Sequence, residues 1–204
     1  MIPSKRTMLA VPVLILLVLT GACSSKPFLI VHYQLPPPSK ALEGRAVSLV
    51  VTDTRDNKAF LTDSAKKSLR GFNGTYSLVV LKDDGSGNLL GVYEIDALIS
   101  ESFKKRMHNL GMQVAPATDK PEYELEIRLK EFKLDLAGRK WIIKMSYQAN
   151  LLKNGRILAM ESVNGSAERL KVMGKSDAEK VLGELLTDMV NKLDLAKLFQ
   201  QAQG

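Results

Sequence analysis

An α+β fold, a single domain of mainly antiparallel β-sheet packed by two amphipathic helices, is predicted by three features of the sequence. Segments near residues 47–52, 123–134 and 141–151 alternate apolar with polar side chains, the period of half-buried strands. Two others, about 94–110 and 176–193, repeat apolar residues every three or four positions, as a helix with one dry face does. Asn154-Gly155 links two strand-like runs and is the strongest two-residue hairpin signal, so the sheet is antiparallel there.

Taken in order, the chain opens with Lys5 and Arg6, an almost wholly apolar run from Met8 to Leu19, and the small residues Thr20, Gly21 and Ala22. That is the pattern of a secretory signal, predicted to be removed as residues 1–22. The run is short of the ~20 residues that span a bilayer, and Pro12 interrupts it. It ends at Cys23, the single cysteine of the chain. The junction resembles the lipobox of bacterial lipoproteins, with Thr20 in the place where a Leu is usual. The resemblance implies lipidation of Cys23 and a membrane anchor, since several acyl chains together hold a protein stably on a bilayer. Thr20-x-Ala22 also suits an ordinary signal peptidase, which would leave a free N-terminal thiol.

Residues 23–44 are expected as a polar tether, a short strand "FLIVHY" and a stiff spacer built on three consecutive prolines. A globular domain is expected over 45–204. It opens with the strand "AVSLVVTD", and Asp53, Arg55 and Asp56 follow as a strand-end turn with local ion pairing. Residues 57–74 read as a loop, and "YSLVVLKDDGSGNLLGVYEI" as two strands around a glycine-containing turn. In the helix that follows, Glu101 and Lys105 are spaced for an i,i+4 pair and Gly111 supplies the C-terminal cap. Lys104, Lys105 and Arg106 read as its solvated side.

"GMQV" is a short strand. In "EYELEIRLKEFKLDL" the apolar phase switches between Leu129 and Phe132, which a β-bulge near Lys130 or Glu131 would correct. "KWIIKMSYQANLL" has a dry face from Trp141 to Leu151 and a wet face that includes Asn150. Ser176 and Glu179 have capping-box spacing at the start of the last helix, whose buried stripe runs from Val181 to Leu193, with a break near Asp194.

The chemistry-bearing patterns are sparse. "GKS" at 174–176 lacks the glycine five residues earlier that a phosphate-binding loop needs and reads as a helix start. Asn73-Gly74-Thr75 and Asn164-Gly165-Ser166 read as turns. His32 and His108 are isolated, no GxSxG elbow occurs, and Cys23 has no cysteine to pair with inside the chain. No catalytic residue, metal or cofactor is expected. The formal charge of +7 includes Lys5 and Arg6 of the signal and is scattered, without the aromatic-rich basic stripe of a nucleic-acid binder. At most it supports attraction to anionic lipid.

The lipobox-like Cys23, the strand into "VTDTRDN", the helix "LISESFKKRMHNLGMQV" and the hairpin strands before a C-terminal helix resemble the YajG family of bacterial lipoproteins over residues 29–199. This implies an envelope lipoprotein of α+β fold and supplies no catalytic residue. The order of elements is also similar, in architecture alone, to auxiliary lipoproteins of ABC-type lipid transport systems. The expected function is a membrane-anchored, non-enzymatic docking or accessory module of an envelope assembly or transport complex, with an envelope protein partner. The alternative is a periplasmic lipid- or amphiphile-binding protein using a cleft between sheet and helices. Ser24, where an Asp would favour inner-membrane retention, points by analogy to the outer membrane, facing the periplasm.

Overall fold

The computed structural model describes residues 26–116, 119 and 121–202. Cys23 and the signal segment lie outside the described residues. The elements run β1 (Leu29–Gln34), β2 (Ala46–Asp53), α1 (Asp63–Ser68), β3 (Tyr76–Leu81), β4 (Gly87–Tyr93), α2 (Ile95–Asn109), β5 (Gln113–Val114), β6 (Tyr123–Ala137), β7 (Lys140–Lys153), β8 (Arg156–Leu170), α3 (Lys175–Lys192) and α4 (Leu195–Gln201). They form the α+β domain expected. The strands make two mixed sheets, one ordered β1-β3-β4 and one β5-β2-β6-β7-β8.

The long hairpin of the larger sheet follows the sequence signals closely. Asn154 and Gly155 both take positive φ, 52° and 75°, as the tight turn between β7 and β8 requires. The register of β6 on β7 shifts between Leu129 and Glu131, so Lys130 is the extra residue. Leu125, Ile127, Leu129, Phe132 and Leu134 consequently all face the core. Pairings remote in sequence were not foreseen: β2 lies parallel to both β5 and β6, and β1 parallel to β3.

α3 fits between the two sheets. Its stripe Val181, Leu182, Leu185, Leu186, Met189, Val190 is buried, with Trp141 and Tyr147 of β7 and Phe103 of α2 in the same core. Tyr147 donates its hydroxyl to Met189 O at 2.8 Å, and burial pushes its ionisation far above the ordinary phenol range.

Several local expectations are corrected. Residues 29–34, placed by the sequence ahead of the domain, form a core strand in which Leu29, Val31 and Tyr33 are fully buried. The proline segment then runs against the end of α2, where Asn109 Nδ2 donates to Pro36 O and Leu42 N to Leu110 O. The 57–74 loop contains α1, N-capped by Thr62. Glu101 pairs with Lys104 at 2.7 Å and not with Lys105. Asn150 is buried because its amide donates to Glu126 Oε2 at 2.9 Å on the neighbouring strand.

Asn164-Gly165-Ser166 is no turn but part of β8, where a Cβ on Gly165 would stand 2.7 Å from Met189 Sδ. Nor is there a capping box. α3 begins at Lys175 after Gly174, without a side-chain cap, and Glu179 is used elsewhere. The carboxylate of Asp177 instead accepts the N–H groups of Val172 and Met173. These hydrogen bonds, that from Met173 foremost, hold it below the usual carboxylate range.

Candidate functional site: two strand edges and a basic depression

Asp53 and Arg55, the strand-end charges read from the sequence as a local ion pair, form a structural staple. Arg55 is only 6 % exposed. It donates from Nε and Nη2 to the two carboxylate oxygens of Asp53 at 2.9 and 2.8 Å, and from Nη1 to Phe132 O at 2.9 Å. The β2–β6 ladder ends at Asp53 and Leu129, just before the bulge, so the guanidinium continues the connection where the backbone ladder stops. The Arg55 hydrogen bonds pull Asp53 down to about 2, aided by Lys58 at 3.2 Å. A carboxylate so tightly paired with a guanidinium is a weak base near neutral pH. Among the described residues no three His, Cys, Asp or Glu side chains gather as a metal site.

The outer edge of β1 is sealed by one stripe of α3. Ile30 N donates to Glu179 Oε1 and Gln34 N to Thr187 Oγ1, each at 3.0 Å, and Asn191 Nδ2 donates to Gln34 O at 3.0 Å. Between them Gly183 lies flat against the strand, where a Cβ would be 2.7 Å from His32 O. The register has a simple origin: four helical residues rise ~6 Å and two strand residues ~6.6 Å, so every fourth position of α3 meets every second position of β1. Tyr33 completes the seal by donating to Asn191 Oδ1 at 2.9 Å. Outside it, His32, Lys180, Glu184 and Asp188 line a shallow depression of about 590 Å³.

β8 is the opposite kind of edge. It is 15 residues long, and among the described residues no strand pairs with its outer side. Lys192 Nζ reaches one carbonyl, Asn164 O, at 3.2 Å. At the hairpin end the side chains of Ile157, Leu158 and Met160 are exposed, Leu158 being the residue that the register shift against Leu151 and Leu152 leaves over. At the other end Leu170, Val172 and Met173 are exposed, the last two 78 % and 70 %. At ~3.3 Å per residue the two apolar clusters lie on the order of 40 Å apart.

Beside the second cluster, where the described chain begins, Lys26, Lys67, Arg70, Lys171 and Lys175 line a depression of about 460 Å³ with Ser68, Leu29 and Phe72. Nothing local in the sequence signalled that cations so far apart in the chain would converge.

No family model matches this chain, and no curated protein matches it. Among solved structures it is similar to protein XCC0632 from Xanthomonas campestris, of the family DUF330, with a TM-score of 0.53 at 15% identity over 86% of this chain and 99% of that one. That similarity shows a shared fold. Weaker likenesses include the hypothetical protein CT253 from Chlamydia trachomatis (TM-score 0.48, 10% identity, 78% of this chain and 99% of that one). Another is rare lipoprotein B from Shewanella oneidensis (TM-score 0.40, 9% identity, 78% and 94%). The resemblance to the YajG family rests on the motifs in the sequence.

Proposed function

We propose that this protein is a lipoprotein of the bacterial envelope, anchored through Cys23, whose folded body is a non-enzymatic docking module for an envelope assembly or transport complex. The observation that carries the docking role is β8, a 15-residue edge with no strand on its outer side among the described residues and with Ile157, Leu158 and Met160 exposed, where the β1 edge is sealed; the shorter edge strand β4 also leaves Leu89 and Val92 exposed. An open edge with an apolar cluster offers backbone hydrogen bonds for affinity and side-chain pockets for selectivity. The partner is an envelope protein, and the outer membrane facing the periplasm is the location that Ser24 favours by analogy.

The lipobox-like junction supports the anchor, and among the described residues no helix is long and apolar enough to cross a membrane. Metabolic labelling with a fatty acid tests it. Label is expected on the natural chain and not on Cys23→Ser; equal labelling of both contradicts the anchor. The docking role is tested by crosslinking intact envelopes before extraction. Recovery of a discrete complex that Ile157→Lys with Met160→Lys abolishes is expected, and recovery of the protein alone contradicts it.

A further inference from the structure

The basic depression and the apolar tip beside it form one surface. Lys171 Nζ donates to Ser68 Oγ at 2.6 Å and stands 5.8 Å from the Trp141 ring centre. Lys175 Nζ donates to Lys26 O at 2.6 Å and lies 3.8 Å from Glu179, whose carboxylate also accepts from Ile30 N. Lys67 and Arg70 are exposed on the opposite wall. No Asp or Glu lines the depression; Glu179 stands at its margin, and the Asp177 carboxylate lies under the adjoining tip, bound to Val172 N and Met173 N.

The adjoining segment 170–175 is held firmly. Lys171 N donates to Arg139 O at 2.8 Å, Val172 N to Asp177 Oδ2 at 2.7 Å, and Trp141 Nε1 to Gly174 O at 3.1 Å. A segment so pinned nevertheless presents Leu170, Val172 and Met173 to solvent. The apolar side chains therefore protrude from a fixed backbone, beside the cations of the depression.

We propose that this surface seats on an anionic phospholipid membrane, with Val172 and Met173 entering the boundary between headgroups and acyl chains and Lys26, Lys67, Arg70, Lys171 and Lys175 meeting lipid phosphates. Exposed apolar residues beside a cluster of Lys and Arg match the two layers of such a membrane, acyl chains and anionic headgroups. The polypeptide itself argues for a lipid occupant. Lys26 lines the depression and stands three residues from Cys23, so an anchor at Cys23 would hold the depression within ~10 Å of the bilayer. The proposal rests on the envelope reading for the anchor, and the test separates the two.

The processed chain is reconstituted into vesicles of phosphatidylcholine alone, or mixed with phosphatidylglycerol, and carries an environment-sensitive thiol label at Val172→Cys or, as control, at Ser162→Cys. If Cys23 is acylated, one thiol per chain reacts; two reacting thiols overturn the anchor but leave the surface testable. Label at 172 is expected to be about fivefold less accessible to an aqueous quencher than label at 162, in the anionic vesicles only. Lys67→Gln with Arg70→Gln is expected to return it to the accessibility seen in phosphatidylcholine, with an unchanged unfolding midpoint. Equal accessibility at the two positions, or protection indifferent to lipid charge, overturns the proposal. Release of the label by millimolar inorganic phosphate assigns the depression to free phosphate and overturns it too. Protection seen in native membranes but in neither vesicle assigns the surface to a protein partner, against the proposal.

Discussion

Along β1, the N–H groups of Ile30 and Gln34 that point away from the sheet meet Glu179 and Thr187 at 3.0 Å, and Gly183 lets α3 close against His32. Along β8, a strand of 15 residues, the outer backbone is covered at one carbonyl by Lys192 and the apolar Ile157, Leu158 and Met160 are left in water. A protein that spends a whole helix stripe on closing one edge has the means to close an edge. The difference is the ground on which the docking role of β8 is proposed, since an unprotected edge is an aggregation hazard unless something covers it in place.

The largest expected effect comes from forcing the sealed edge apart. Gly183→Val places a Cβ 2.7 Å from His32 O, so helix and strand must separate. A loss of about 3 kcal/mol in urea denaturation is expected. A loss within experimental error would break the comparison, because the helix would then not be seated on the strand. Asn191→Leu removes the partner of both the Tyr33 hydroxyl and Gln34 O, and about 2 kcal/mol is expected in the same assay.

A pH measurement sharpens the other side by showing what pins the end of β8. Asp177 is ionised to lower pH in the fold than in the unfolded chain, where its value is near 3.8, because the carboxylate accepts from Met173 and Val172. Its contribution to stability is therefore complete above that value and is lost as pH falls toward the depressed one. Unfolding midpoints compared at pH 5 and pH 3 should separate the natural chain from Asp177→Asn at the higher pH and bring them together at the lower. A constant gap contradicts the role given to Asp177. The smallest effect on folding belongs to the open edge, where Ile157→Lys with Met160→Lys should change stability by no more than about 0.5 kcal/mol. A large loss would mean that these side chains are part of the fold and not a surface reserved for a partner.

The elements most legible in the sequence are those whose signals are local. The phase slip between Leu129 and Phe132 places a bulge near Lys130 or Glu131, and it falls at Lys130; Asn154-Gly155 marks the β7–β8 turn. What stayed hidden depends on contacts between distant segments. Glu179 sits at capping-box spacing from Ser176, but its partner is Ile30 N, 149 residues away. The three prolines after it set the strand β1 apart from the domain in the sequence, although Leu29, Val31 and Tyr33 lie in its core. The basic depression draws on residues 26, 67, 70, 171 and 175, which no reading along the chain would place together. The surfaces on which the proposals rest are thus assembled by topology, while Cys23, the one site read from the sequence, carries the proposed anchor.

The docking role of β8 is tested most directly by a photoreactive side chain placed at Met160 and, separately, at His32 on the sealed edge, with crosslinking in intact cells. A discrete protein adduct from position 160, lost when Ile157→Lys is added, with none from position 32, is the predicted result. Adducts of the same pattern from both positions, or none from position 160, would contradict it.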